Sequence, residues 1–85
     1  MNFSQALEAM RERNARVQRS GWNGKGMWIR IVGVRDGDKS VIPTYPQRSY
    51  IEMKDAQGWV VPWLASQTDL LATDWAEYGS ESNQI

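Results

Sequence analysis

Eighty-five residues at 9.7 kDa predict one compact unit, and ten Lys and Arg against ten Asp and Glu leave no net charge to draw it onto duplex nucleic acid or anionic lipid. With no Cys and no His, disulfides, thiolate nucleophiles, imidazole bases and nearly all zinc chemistry are excluded, so neither catalytic nor metal-binding residues nor a cofactor are expected. The apolar runs are too short for a membrane span or a signal peptide, which predicts a soluble, cytoplasmic protein.

Phe3, Ala6, Leu7 and Met10 recur at three- and four-residue intervals, with Glu8, Arg11 and Glu12 on the other side. The pattern predicts an amphipathic helix capped by Asn2 or Ser4 and fading at Arg13 and Asn14. Ala15, Val17 and Arg19 then alternate with Arg16 and Gln18, the period of a half-buried strand ending at Gly21. Gly21 to Gly26 places three glycines around Trp22, Asn23 and Lys25 and predicts a tight loop; Met27 to Val32 returns as a strand, making a hairpin. Residues 35–48 are punctuated by turn residues and predict a long irregular connection. Ser49 to Lys54 and Trp59 to Val61 form a second hairpin around Asp55-Ala56-Gln57-Gly58, and Pro62 stops the ladder. Ser66 with Asp69 three residues later resembles a capping box and opens a short helix; Asp74 to Tyr78 alternates again as a last strand. The class is therefore α+β: an N-terminal helix on a small antiparallel sheet, with a short helix near the C-terminus. Residues 1–78 make a single domain and 79–85 a polar tail.

Charge is polarised along the chain. Residues 11–30 carry Arg11, Arg13, Arg16, Arg19, Lys25 and Arg30 against Glu12 alone, whereas from residue 52 onward Glu52, Asp55, Asp69, Asp74, Glu77 and Glu81 face only Lys54. Such polarity either seats the basic segment of one copy on the acidic segment of another or reflects two solvated faces. Five Trp concentrate the aromatic mass, and a domain of this size buries only about 60% of its unfolded surface, so association with copies of itself is expected.

Two stretches offer groups for holding a polar, planar anion. The Gly21–Gly26 loop lets backbone N–H groups approach an anion, but its spacing fits neither standard phosphate-binding fingerprint, and the alternative is a plain hairpin turn. At Ser66-Gln67-Thr68-Asp69 a helix start exposes N–H groups beside two hydroxyls, for which self-capping competes. Asp69 and Asp74 give no reason in their spacing to expect a shared acid/base site.

The segments MNFSQALEAM, GWNGKGM and VVPWLASQTDLLATDW resemble the small bacteriophage proteins of the Thoeris anti-defence sponge family, second type. The resemblance spans most of the chain and leaves out residues 35–48. It implies a non-enzymatic protein of the infected bacterial cytoplasm that binds cyclic ADP-ribose isomers made by TIR-domain immune proteins, in some members also cyclic dinucleotides, without cleaving them. It further implies a homotetramer, a dimer of dimers, with pockets between subunits. Carried onto this chain, Trp22 and Trp63 would stack on a purine, and Asn23 and Gln67 would read edges. Lys25 and Arg30 would meet phosphates, helped by N–H groups at Gly24, Ser66 and Thr68, and Asp69 or Asp74 would accept from ribose hydroxyls. Trp28, Trp59 and Trp75 are assigned to core or subunit packing. Two alternatives are an interaction module acting directly on a host protein through exposed Trp and charged faces, and a nucleotide hydrolase using Asp69 or Asp74.

Overall fold

The computed structural model describes residues 1–22, 26–33 and 48–79. In chain order it holds α1 (Phe3–Arg13), β1 (Val17–Arg19), a 3-10 turn (Ser20–Trp22), β2 (Trp28–Val32), β3 (Tyr50–Lys54), β4 (Val60–Pro62), α2 (Gln67–Leu71) and β5 (Trp75–Glu77). The strands form one antiparallel sheet in the order β4-β3-β2-β1-β5. The α+β architecture expected from the sequence is the one observed.

Of the two possible caps for α1, Asn2 serves. Its side chain accepts from the Gln5 N–H at 2.9 Å while the Gln5 side chain accepts from the Asn2 N–H at 2.9 Å, a reciprocal pair that satisfies two otherwise orphaned donors. Ser4 lies inside the helix. The other end closes on Asn14 at φ 55°, a left-handed cap that asparagine tolerates better than most residues. At α2 the Ser66 hydroxyl accepts from the Asp69 N–H at 3.0 Å, but the reciprocal half of the box is absent: the Asp69 carboxylate meets Arg19 and not the Ser66 N–H.

The β3–β4 hairpin forms around Asp55, whose carboxylate accepts from the N–H groups of both Gln57 and Trp59. Pro62 is itself the last residue of β4, opposite Glu52. β1 and β2 pair antiparallel at Val17↔Ile29, β1 ends at Arg19 and Ser20–Trp22 winds into the 3-10 turn, while residues 23–25 of the expected tight loop lie outside the described residues. The pairing of β5 with β1, register Arg19↔Trp75, is long-range and makes β5 one edge of the sheet.

The helix packs on one face of the sheet. Ala6, Ala9 and Met10 from α1 meet Val17, Ile29 and Trp75, all essentially buried, with Phe3, Leu7, Ile31, Ile51, Met53, Trp22 and Trp63 partly buried around them. Because successive strand residues alternate between faces, Trp28, Arg30 and Glu52 lie on the opposite face. Trp28 is buried there beneath arginines: Arg16 sits 5.2 Å and Arg30 5.5 Å from its ring centroid, and Arg30 Nε donates to Glu52 at 2.7 Å.

The polarised charge resolves within a single chain. Arg13 pairs with Glu77, Arg19 with Asp69 and Asp74, and Arg30 with Glu52, because antiparallel pairing lays the basic first half against the acidic second half. Neither two unrelated solvated faces nor contact between copies is needed to account for those arginines. Trp59 is 70% exposed on the β3–β4 hairpin, so of its two assignments, core or subunit packing, the core is excluded. Of the irregular connection expected at 35–48, residues 35–47 lie outside the described residues, as do residues 80–85 of the tail expected at 79–85.

Candidate ligand-binding site

The register Arg19↔Trp75 turns the Trp75 indole into the core below α1, where 2% of it is exposed. Three rings gather on it. Trp22, from the 3-10 turn, stands edge-on at 5.4 Å and 86°; Trp63, from the extended segment after β4, stands edge-on at 6.0 Å and 88°. Phe3 of α1 touches Trp75 at 5.4 Å and Trp63 at 5.8 Å. Edge-to-face contact suits the ring quadrupole and adds about 0.5–1.5 kcal/mol per pair beyond area burial. The Trp75 Nε1 donates to the Asp69 carbonyl at 2.9 Å, so the indole enters the core without an orphaned donor. Trp22 and Trp63 are thus brought together on one buried ring, and each is half-buried at the rim of the core.

Beside the rings lies a polar network. Arg19, with 23% of its side chain exposed, donates from one nitrogen to Asp69 at 2.9 Å and from Nε to Asp74 at 2.9 Å. The second oxygen of Asp74 accepts from the Ser20 hydroxyl at 2.5 Å. That hydroxyl, and then Arg19, hold the Asp74 carboxyl down at about 2, while Asp74 and Asp69 raise the guanidinium above its usual value. The spacing of Asp69 and Asp74 gave no reason to expect a shared acid/base site, but the fold joins the two carboxylates through a third residue, Arg19 of β1. As acceptors for ribose hydroxyls they differ. Both Asp74 oxygens are engaged, whereas Oδ2 of Asp69 has no partner among the described residues.

The other anticipated residues are scattered. Ser66 is the α2 cap, with Gln67 and Thr68 exposed beside it. Arg30, foreseen as a phosphate contact, pairs with Glu52 and covers Trp28 on the opposite sheet face, so within one chain it does not meet Trp22 and Trp63. Asn23, Gly24 and Lys25 lie outside the described residues. Sequence reasoning passed over Arg19, Ser20 and Phe3, and assigned Trp75 to packing without its central place. The available signal was the polarised charge, which marked Arg19 as a cation needing a distant acid. A separate cleft of about 470 Å³, lined by Leu7, Arg11, Ile31, Ser49, Tyr50 and Ile51, opens between α1 and the β2–β3 end and contains none of the anticipated residues. Among the described residues no helix is long and apolar enough to cross a membrane.

The model of the Thoeris anti-defense 2-like domain matches residues 1–78. The chain belongs to the Thoeris anti-defense 2-like family. It is 34% identical over 84 residues to Thoeris anti-defense 2 of Bacillus phage SP01, covering 88% of this chain and 91% of that protein. The matched span includes every element of the fold and the whole aromatic cluster, and membership gives the protein a phage anti-defence role.

Proposed function

We propose that the protein acts by capture: it binds a cyclic nucleotide immune signal of the cyclic ADP-ribose type, and by extension cyclic dinucleotides, and withholds it without cleaving it. The observation that carries this reading is the pair of half-buried indoles, Trp22 and Trp63, held edge-on to buried Trp75 in a family named for defeating Thoeris defence. An indole so braced loses little freedom when a purine stacks on it, a contact worth about 1–3 kcal/mol per base. Oδ2 of Asp69 and the exposed Gln67 amide beside it supply polar reading of ribose or base edges.

The network disfavours turnover. A general base works best with a pKa near the operating pH, and Asp74 is held at about 2 with both oxygens occupied. No His or Cys is present to replace it.

Capture of a scarce signal needs a Kd near nanomolar, about −12 kcal/mol, more than two or three contacts from one chain deliver. A second copy supplies the rest in this reading. Leu64 is 93% and Leu71 80% exposed, and both adjoin the site, Leu64 next to Trp63 and Leu71 on α2. Apolar side chains this bare fit an interface between subunits, consistent with pockets completed by assembly into a homotetramer.

The test is ligand recovery. Protein mixed with a cyclic ADP-ribose isomer depletes it from solution, and heat denaturation then returns the same compound. A linear product, or loss beyond one equivalent per pocket, would establish a hydrolase instead. A stoichiometric host protein with no depletion of nucleotide would favour a direct interaction module.

A further inference from the structure

We infer that Arg19 is a positioning residue for ligand capture, a single guanidinium that sets the spacing between Trp22 and Trp63 without touching what they bind; the inference rests on the capture reading above. The two rings come from segments with no local connection, one before β2 and one after β4. Trp22 stands two residues after Ser20, and Trp63 three residues before Ser66. What joins those segments is a chain of polar contacts running through Arg19. Its Nε holds Asp74, whose other oxygen holds Ser20 at the start of the turn that carries Trp22. Its second nitrogen holds Asp69, whose N–H donates to Ser66 and whose carbonyl accepts from Trp75. Asp74 also immediately precedes Trp75, the ring on which both indoles rest.

The geometry needs arginine. Two carboxylates from different segments are met by two nitrogens of one planar group, in fixed relative direction, which a compact lysine ammonium on a flexible stem does not impose. Exposed ion pairs contribute little to stability, and all three members here retain solvent contact. Loss of the clamp therefore moves ring geometry more than it lowers the melting temperature, and that separates positioning from scaffolding.

The experiment compares Arg19→Gln, Arg19→Lys and Asp74→Asn with wild type, and with Arg13→Gln, which breaks the exposed Arg13–Glu77 pair with the same change of charge. Two readouts are taken: the Kd for a cyclic ADP-ribose isomer, and the near-UV circular dichroism of the Trp cluster without ligand. Arg19→Gln is expected to weaken binding at least tenfold and to alter the near-UV band while the far-UV spectrum is kept. Arg19→Lys is expected to fall between it and wild type, and Arg13→Gln to match wild type in both. Binding within twofold of wild type with an unchanged near-UV band would overturn the inference, as would equal weakening by Arg13→Gln. Should Arg19→Gln fail to fold, Asp74→Asn, which keeps the Arg19–Asp69 contact, carries the same two comparisons. Should wild type not bind the isomer, the capture reading fails, and the near-UV comparison alone decides whether Arg19 sets the rings.

Discussion

Replacing Trp75 with Phe probes the aromatic cluster at its centre. The indole is 2% exposed, touches Phe3, Trp22 and Trp63, and donates to the Asp69 carbonyl at 2.9 Å. Truncation of a buried Trp to Ala costs about 3–5 kcal/mol. Phe keeps one ring and most contact with Phe3, so the loss reduces to a partial cavity, one hydrogen bond of about 1 kcal/mol, and weakened edge contacts of about 0.5–1.5 kcal/mol per pair. A sum near 2 kcal/mol follows, against a total stability of about 4–13 kcal/mol at ~0.05–0.15 kcal/mol per residue. For a chain of this size that lowers Tm by about 8–16 °C. Thermal and urea unfolding followed by near- and far-UV circular dichroism, at one fixed protein concentration because assembly shifts apparent stability, measures it. A Trp75→Phe protein within about 0.5 kcal/mol of wild type would refute the placement of this ring at the centre of the core.

Asp74 gives a prediction with a definite sign. Its carboxyl is lowered from 3.8 to about 2, so the stability it contributes is complete above the unfolded value and disappears as pH falls from about 4 towards 2. Acid titration of unfolding is expected to show Asp74→Asn losing this part of the pH dependence; an unchanged profile would contradict the network. Gly33→Ala would bring a Cβ to 2.7 Å from the Ser49 Cα at φ 150°, so chemical denaturation is expected to show a loss of about 1–3 kcal/mol. Asn2→Ala removes the cap of α1 and is expected to cost about 1 kcal/mol in the same assay, whereas Ser4→Ala, inside the helix, is expected to cost less.

Local chemistry made most elements legible. Apolar residues at helical intervals between two asparagines placed α1, Asp55 and Gly58 placed the second hairpin, and Ser66 placed α2. These signals act within a few residues, where capping and turn geometry decide the backbone. What depends on distant partners was not legible. Nothing in Asp74-Trp75-Ala76 states that it pairs with Val17–Arg19, and without that pairing Arg19 cannot be seen between Asp69 and Asp74. For the same reason residue type alone linked Arg30 to phosphate, while the register with β3 sets it against Glu52. Trp22 and Trp63 were singled out through the family resemblance, and the ring they share, Trp75, became visible only in three dimensions.

Native mass spectrometry of the protein with a cyclic ADP-ribose isomer, run beside the Trp22→Ala/Trp63→Ala double variant, addresses capture by these two rings most directly. Wild type is expected to fly as a tetramer carrying intact ligand at the mass of the compound added, and the double variant as a ligand-free species. A ligand-free wild type at micromolar concentration, a bound mass differing from the added compound, or undiminished binding by the double variant would contradict it.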